Sequence, residues 1–169
     1  MKQFRTLLVA IAITIGTSGF VNAQSKVAHI ASQELVEAMP AFKAAKSEIE
    51  KLNKTYDAEI RNMVLELQST IKRYSQEAET KTDEENLKRQ QEIQATEKSI
   101  NDYRTNALQD LQKKEIELMK PIYEKARTSI QKVARAQGFQ YVLDSTTGTG
   151  VIMADGKNLM ADVKKDLGI

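Results

Sequence analysis

The side chains that most often carry out chemistry in proteins are scarce in this sequence. The chain has one histidine, His29, and no cysteine, so a metal site or a nucleophile–histidine pair would lack its usual partners. His29 lies in a short apolar stretch typical of a strand, which favours a structural role. The sequence therefore offers no catalytic residue and no metal-ligand set, and it predicts a protein that is not an enzyme.

One glycine-containing stretch, STTGTG at residues 145–150, superficially resembles a phosphate-binding loop. It lacks the Gly-Lys-Ser/Thr ending of such a loop, and VIMA, a typical strand sequence, follows it instead of a helix N-terminus. We interpret it as a hairpin loop between two strands. Carboxylates are numerous, but they recur at helical spacings where solvated ion pairs explain them. We therefore expect no cofactor.

The first 23 residues have the pattern of a secretory signal peptide. Lys2 and Arg5 precede an apolar run over residues 7–15, and small residues lead up to Ala23. An uncleaved membrane anchor is the alternative, but the apolar run is shorter than the roughly 20 residues that a spanning helix needs. We expect cleavage after Ala23, with a mature start near Gln24.

Cleavage changes the charge of the chain. The whole sequence has 25 basic and 23 acidic residues, and loss of Lys2 and Arg5 would leave the two numbers equal. A neutral chain lacks the basic excess typical of nucleic-acid-binding proteins, so we expect no nucleic-acid partner. Because an exported domain without cysteine has no disulfides, packing or assembly must stabilise it.

Glycine and proline delimit a long helical segment. No glycine occurs between Phe20 and Gln137, and the only prolines are Pro40 and Pro121. Lys, Glu, Gln, Leu and Ala dominate the residues between the prolines, which favours helix. The many charges exclude a helix that is buried on all sides.

An apolar stripe in the first half of this segment has a mean spacing of 3.6 residues, which is the period of an α-helix. Its residues are Phe42, Ala45, Ile49, Leu52, Tyr56, Ile60, Met63, Leu67, Ile71, Tyr74 and Ala78, and a second stripe consists of Ile93, Ile100, Tyr103, Ala107, Leu111, Leu118 and Ile122. Between the stripes, over residues 79–83, Thr82 and Glu85 form a capping-box pattern that can begin a new helix. A single rod is the alternative. A turn centred at 80.5, midway between the prolines, would instead make two arms of equal length. We predict a long antiparallel helical hairpin over residues 41–120, with its tip near 80–83.

The remaining residues have short strand and helix patterns. KVAHIA (26–31) predicts a strand, and Ser32 is a suitable N-cap for a short helix that ends at Met39. A helical stretch over 122–137 should end at a left-handed cap, Gly138. FQYVL (139–143) and VIMA (151–154) predict two further strands, and residues 160–167 predict a closing helix. Residues 24–40 and 121–169 should therefore form a small β-containing body.

Three strands of four to six residues are too few to bury a stable core by themselves. We therefore expect other copies of the chain to complete the sheet, so that the body is an oligomerisation domain. The residues expected at this interface are the apolar ones of the three strands: Val27, Ile30, Phe139, Tyr141, Leu143, Val151 and Met153.

Taken in order, these segments resemble the Skp (OmpH-like) family of periplasmic outer-membrane-protein chaperones. The resemblance is carried by KVAHIAS, by ELVEAMPAFKAAKSEIEKL, by the charged hairpin and by the ending that runs from YEKARTSIQKVARAQGFQYVLDS to VIMADGKNLMADVKKDLG. It implies a periplasmic homotrimer in which three helical hairpins extend from a small β body. It also implies an ATP-independent holdase that encloses unfolded outer-membrane β-barrel proteins between its arms, with membrane contact only transient or through its clients.

The balance of basic and acidic residues near the predicted tip differs from that of some family members. Some members are strongly basic and bind lipopolysaccharide there, whereas residues 72–89 contain five basic and five acidic side chains. We therefore do not extend lipopolysaccharide binding to this chain. Residues 113–135 are more basic and could attract acidic clients. A solvated helix surface is the preferred interpretation, because Lys120, Lys125, Arg127 and Lys132 do not share one helical face.

The larger side chains of the arm stripes have two interpretations, which are packing between the arms and contact with an unfolded client. The alternative function, a structural coiled-coil spacer or adaptor of the cell envelope, would need only the packing between the arms. The residues considered for client contact are Phe42, Tyr56, Ile60, Leu67, Tyr74 and Tyr103.

Overall fold

The computed structural model describes residues 26–169, so the expected signal peptide lies outside the described residues. The fold is mainly helical, with a long antiparallel hairpin and a small sheet, as the sequence predicts. The elements are strand β1 (Val27–Ile30), helices α1 (Ser32–Ala38) and α2 (Pro40–Glu77), a 3-10 turn (Ala78–Thr80), helix α3 (Asp83–Ala136), strands β2 (Tyr141–Asp144) and β3 (Lys157–Asn158), and helix α4 (Met160–Leu167).

Helices α2 and α3 pair to form the predicted arm. Helix α2 has 38 residues, which corresponds to roughly 57 Å at 1.5 Å per residue. The predicted new helix start at the tip is confirmed, because the side chain of Thr82 accepts a hydrogen bond of 3.3 Å from the backbone N–H of Glu85. A capping bond of this kind satisfies one of the free N–H groups at the start of α3.

Side-chain contacts between the arms set the register of the hairpin. Lys114 Nζ lies 3.1 Å from Glu48 Oε1, and the Tyr74 hydroxyl donates to Glu92 Oε2 at 2.7 Å. These pairs are centred at residues 81 and 83, so the two helices are in register about residue 82 rather than 80.5. The difference arises because side-chain contacts, not the positions of the prolines, set the register.

The second arm continues into the body without a break. Pro121 lies inside α3, although proline removes a backbone hydrogen bond and usually kinks or ends a helix. In the part of α3 that follows Pro121, Ile122, Ala126 and Val133 are buried in the core. This packing explains why the helix persists from the tip to Ala136, where the sequence analysis placed a boundary between residues 120 and 121.

Strand β1 is the central strand of the sheet, and both β2 and β3 pair with it in parallel. The prediction of a hairpin loop at 145–150 is therefore wrong, since β2 and β3 are not neighbours. Parallel strands need a crossover connection, and the residues after Asp144 provide it. Residues 151–154 lie in this connection and form no strand in the single chain. The third strand is Lys157–Asn158 instead.

One face of the sheet packs against the helices. Ala28 and Ile30 point to this face, and Gly138 has a φ of 74° that confirms the predicted left-handed helix cap. Leu35, Leu159 and Val163 are fully buried beside the sheet. The residues that make up the core are Ala28, Ile30, Leu35, Val36, Met39, Ala45, Ile122, Ala126, Val133, Ala134, Leu159 and Val163.

Asp144 connects the end of β2 to the start of α1. Its carboxylate accepts hydrogen bonds from the backbone N–H and hydroxyl of Ser32 and from the backbone N–H and hydroxyl of Thr146. The prediction that the Ser32 side chain caps α1 is wrong, because its hydroxyl donates to Asp144 and residue Ala31 occupies the N-cap position. Burial raises the pKa of Asp144, but the hydrogen bonds from Ser32 and Thr146 outweigh it and lower the pKa to about 2.

Replacement of Asp144 by Asn should destabilise the fold at pH 7 by about 2 kcal/mol, because hydrogen bonds to a charged acceptor contribute about 1.5 to 3 kcal/mol each and one amide cannot accept all four. A depressed carboxyl pKa gives stability that is present above the unfolded value, 3.8, and that is lost as the pH falls towards about 2. The difference between wild type and Asp144→Asn should therefore shrink over that range. Urea unfolding between pH 7 and pH 2 measures it, with exposed Asp155→Asn as the control, and a difference independent of pH would contradict this role.

Candidate functional site

The face of the sheet opposite to the helices is not covered by any part of residues 26–169. The parallel register places Val27, Tyr141 and Leu143 on this face, and all three are exposed, Tyr141 by 60% and Leu143 by 44%. We call these three residues the open sheet face. Contiguous exposed apolar side chains of this kind usually mark an association surface.

The connection between β2 and β3 adds further exposed apolar side chains. Ile152 is 101% exposed and Met153 is 76% exposed, so the described part of the chain leaves both side chains largely uncovered. Gly148 and Gly150 have φ values of 92° and 91°, which residues with a Cβ rarely adopt. We call residues 151–154 the crossover segment. Its β-branched and apolar residues are those that a strand prefers, although the single chain provides no strand beside them.

The predicted interface residues divide into two groups because strand side chains alternate between faces. Val27, Tyr141, Leu143 and Met153 are exposed, and Val151 is half-buried. In contrast, Ile30 is 2% exposed in its own core, and Phe139 packs against the same core. The last two therefore stabilise the single chain.

Tyrosines form much of the seam between the arms. The hydroxyl of Tyr56 donates to Asp110 at 2.6 Å, and that of Tyr103 donates to Glu59. The rings of Tyr56 and Tyr103 meet edge to face, with centroids 6.1 Å apart. The hydrogen bond to Glu59 raises the pKa of Tyr103 to about 12. Tyrosine hydroxyls bound to carboxylates thus take the place of part of the apolar packing expected in a helical pair.

A compact cluster of charged and aromatic side chains follows at the distal end of the arm. Arg89 pairs with Glu77 at 2.6 Å across the seam and lies 4.5 Å from the ring centroid of Tyr74. Glu85, one turn earlier on α3, lies 4.0 Å from Arg89. This end of the hairpin is therefore joined by polar contacts in which both charge signs take part.

The residues predicted to contact clients lie at or near the seam. Tyr56, Tyr74 and Tyr103 contact the opposite arm, while Ile60 and Leu67 are half-buried. Phe42 packs against the core at the base of the arm. Four exposed apolar residues of the arms were not predicted to contact clients, because they fall outside the two apolar stripes. The only signal for them in the sequence is that they interrupt the polar faces of the helices. These residues are Leu65, Leu87, Leu108 and Ile116.

The described residues contain one histidine–serine contact and no cluster of metal-binding side chains. Within residues 26–169, no group of three or more His, Cys, Asp or Glu side chains is placed to hold a metal ion. His29 Nδ1 lies 3.1 Å from Ser145 Oγ, a contact between β1 and the residue after β2. No helix of the described part of the chain is both long and apolar enough to cross a membrane.

Comparison with known proteins gives a consistent result over almost the whole described chain. The family described as outer membrane protein (OmpH-like) matches residues 26–167. A solved structure from Caulobacter crescentus CB15, provisionally named an outer membrane chaperone (OmpH-like), is similar with a TM-score of 0.75 and 18% identity, covering 86% of this chain and 85% of the other. No curated protein matches the sequence. The match over residues 26–167 shows that the chain belongs to the family described as outer membrane protein (OmpH-like).

Proposed function

We propose that the mature chain is an ATP-independent holdase chaperone of the periplasm that binds unfolded outer-membrane β-barrel proteins and prevents their aggregation. The observation that carries this proposal is the combination of a long, solvated hairpin with a small body whose apolar sheet face is uncovered. Membership of the OmpH-like family supports a chaperone role. We further propose that the signal peptide is residues 1–23, that the body comprises residues 24–40 and 121–169, and that the arm comprises residues 41–120.

The open sheet face supports a proposal about assembly. We propose that copies of the chain associate through Val27, Tyr141 and Leu143, and the family resemblance implies three copies. Such an assembly would bring the bases of the arms together. The space between such arms is a cavity with walls of mixed charge and scattered apolar groups. A client inside it is separated from other unfolded chains, so aggregation is blocked.

Client contact on the arms should be weak at each residue and spread over a large area. The arms expose many charges of both signs and single apolar side chains such as Leu65 on α2 and Leu108 on α3. We propose that these exposed residues contact clients, with the half-buried Ile60 and Leu67 contributing at the edge of the seam. Many weak contacts hold a chain without imposing one structure, and release then needs no nucleotide.

The protein should suppress client aggregation without ATP and in the presence of EDTA, since the proposed contacts need neither a nucleotide nor a metal. The measurement is light scattering after dilution of a urea-denatured porin into the mature protein. We expect aggregation to be suppressed equally in buffer alone, with EDTA and with ATP. A requirement for ATP or loss of protection on chelation would contradict the mechanism.

The same experiment distinguishes a chaperone from a structural spacer of the cell envelope. A folded, detergent-solubilised porin serves as the matched control for the denatured one. A holdase should associate with the denatured form and not with the folded form in a pull-down. Association with folded envelope proteins alone would favour the spacer.

A further inference from the structure

The only histidine of the chain lies beside the three residues of the open sheet face. His29 belongs to β1, the central strand, and is in register with Leu143 of β2 on one side and with Asn158 of β3 on the other. Strand side chains alternate between the two faces of a sheet. Because Ala28 and Ile30 point into the core, His29 points to the uncovered face, where it is half-buried in the single chain.

The imidazole makes one hydrogen bond within residues 26–169. Its Nδ1 lies 3.1 Å from Oγ of Ser145, the residue that follows β2. The serine hydroxyl can donate to this nitrogen or accept from it, so the neutral ring keeps the contact in either tautomer. A neutral imidazole with one bonded nitrogen is a side chain that an interface can bury at moderate cost.

No acidic residue of the three strands shares a face with His29. Asp144 is the only acidic residue in these strands, and it is in register with Ile30 of the core face. Its carboxylate is occupied by hydrogen bonds from α1 and from the residues after β2. The other titratable residues in or next to the strands are Tyr141, Lys157 and the exposed Lys26 and Asp155. Of these, Tyr141 shares the open sheet face, and Lys157 is paired with a carboxylate of α4 at 2.9 Å.

The carboxylates of the neighbouring helices belong to the other side of the sheet. Helices α1, α3 and α4 contribute their buried residues to the core against which the opposite face packs. The carboxylates on the parts of these helices next to the sheet are Glu34, Glu37, Glu124, Asp162 and Asp166. The sheet separates them from the imidazole, so an imidazolium on the open side depends on water for its stabilisation.

We infer that His29 makes the proposed assembly sensitive to pH, so that the copies separate as the solution becomes acidic. This inference rests on the proposed assembly through the open sheet face and adds a means of regulation to it. Copies that cover this face displace water from the ring. Because every copy uses the same face, the covering surface brings further imidazoles and no carboxylate from a strand. A buried imidazolium without a carboxylate is strongly disfavoured.

The direction of the effect follows from proton uptake. Histidine is the only side chain that ordinarily changes its charge between about pH 5 and 8, and this chain has one histidine and no cysteine. At the acidic end of that range a separated copy binds one more proton than an assembled copy, so a fall in pH favours separation. Each copy contributes one such proton, and the effect therefore multiplies over the copies of the assembly.

The pH dependence of the oligomer tests this inference. The mature wild-type protein and His29→Asn are diluted at pH 7 and at pH 5, and light scattering measures their mass. EDTA is present throughout, so that no metal ion bridges imidazoles of different copies. We expect the concentration at which half of the wild-type oligomer dissociates to be at least tenfold higher at pH 5 than at pH 7. The same concentration should change by less than twofold for His29→Asn.

A second neutral replacement, His29→Leu, guards against an effect of the asparagine side chain itself, and it should remain assembled at both pH values. Helical circular dichroism should be the same at pH 7 and pH 5, which separates dissociation from unfolding. An unchanged dissociation concentration of the wild type would overturn the inference and leave the proposed assembly intact. An equal change in both variants would also overturn it, because another group would then carry the effect. A wild-type protein that is monomeric at all concentrations at pH 7 would overturn the proposed assembly itself.

Discussion

A Leu143→Asp variant should be monomeric at concentrations where the wild-type protein is an oligomer. Leu143 lies on the open sheet face and is 44% exposed in the single chain, so a carboxylate there remains solvated while the chain is alone. In the proposed assembly the same carboxylate would be buried on a face to which β1 and β2 contribute no Lys or Arg, with His29 of β1 opposite it. Burial of an unpaired charge costs several kcal/mol per subunit, which is enough to dissociate the assembly.

Size-exclusion chromatography with light scattering measures this change directly. Leu108→Asp is the control, because Leu108 is 69% exposed on the arm and lies far from the sheet in sequence and in the fold. Circular dichroism should report the same helix content for both variants. An oligomeric Leu143→Asp protein would show that the open sheet face is not the interface.

Shortening of the arms should abolish most of the holding activity without affecting assembly. Because the cross-arm pairs are centred near residue 82, deletion of residues 57–107 and connection of Tyr56 to Leu108 through a short glycine-rich linker keeps the two helices in register. The contacts of Tyr56 with Asp110 and of Glu48 with Lys114 remain. Roughly 35 Å of each arm is lost at 1.5 Å per residue, and with it most of the surface that would enclose a client.

Light scattering with a denatured porin should show at least a tenfold loss of protection by the shortened protein. The number of chains in its oligomer should stay that of the wild type. The full-length protein is the control, and circular dichroism should show that the remaining arm residues of the shortened protein stay helical. Full protection by the shortened oligomer would mean that clients bind the body, and the proposed role of the arms would be wrong.

The arm could be predicted because the sequence patterns that define it are local. The 3.6-residue spacing of apolar residues defines a helix without reference to other parts of the chain, and Thr82 with Glu85 marks the new start within four residues. Strands β1 and β2 were also close to their predicted positions, since their alternating patterns are local as well. Gly138 was recognisable as a helix cap for the same reason.

The features that were missed depend on partners distant in sequence. Serine is a favoured N-cap residue, but the hydroxyl of Ser32 donates a hydrogen bond to Asp144 instead. The two residues are 112 positions apart. The tyrosine seam could not be seen from either stripe alone, because each carboxylate comes from the opposite helix. Strand β3 has only two residues, too few for any pattern, so the crossover segment VIMA was the more strand-like sequence. The parallel order of the strands was missed as a result, because it requires the long connection between β2 and β3.

Direct location of a bound client tests the central claim, which is that the arms hold unfolded β-barrel proteins. A photoreactive group attached to a single introduced cysteine at Leu65, at Leu108 or at Lys165 reports contact from α2, α3 and α4, because the chain has no other cysteine. Irradiation with a denatured porin present should cross-link the client to both arm positions and only weakly to Lys165. Strong cross-links at Lys165 with none at Leu65 or Leu108 would contradict the account.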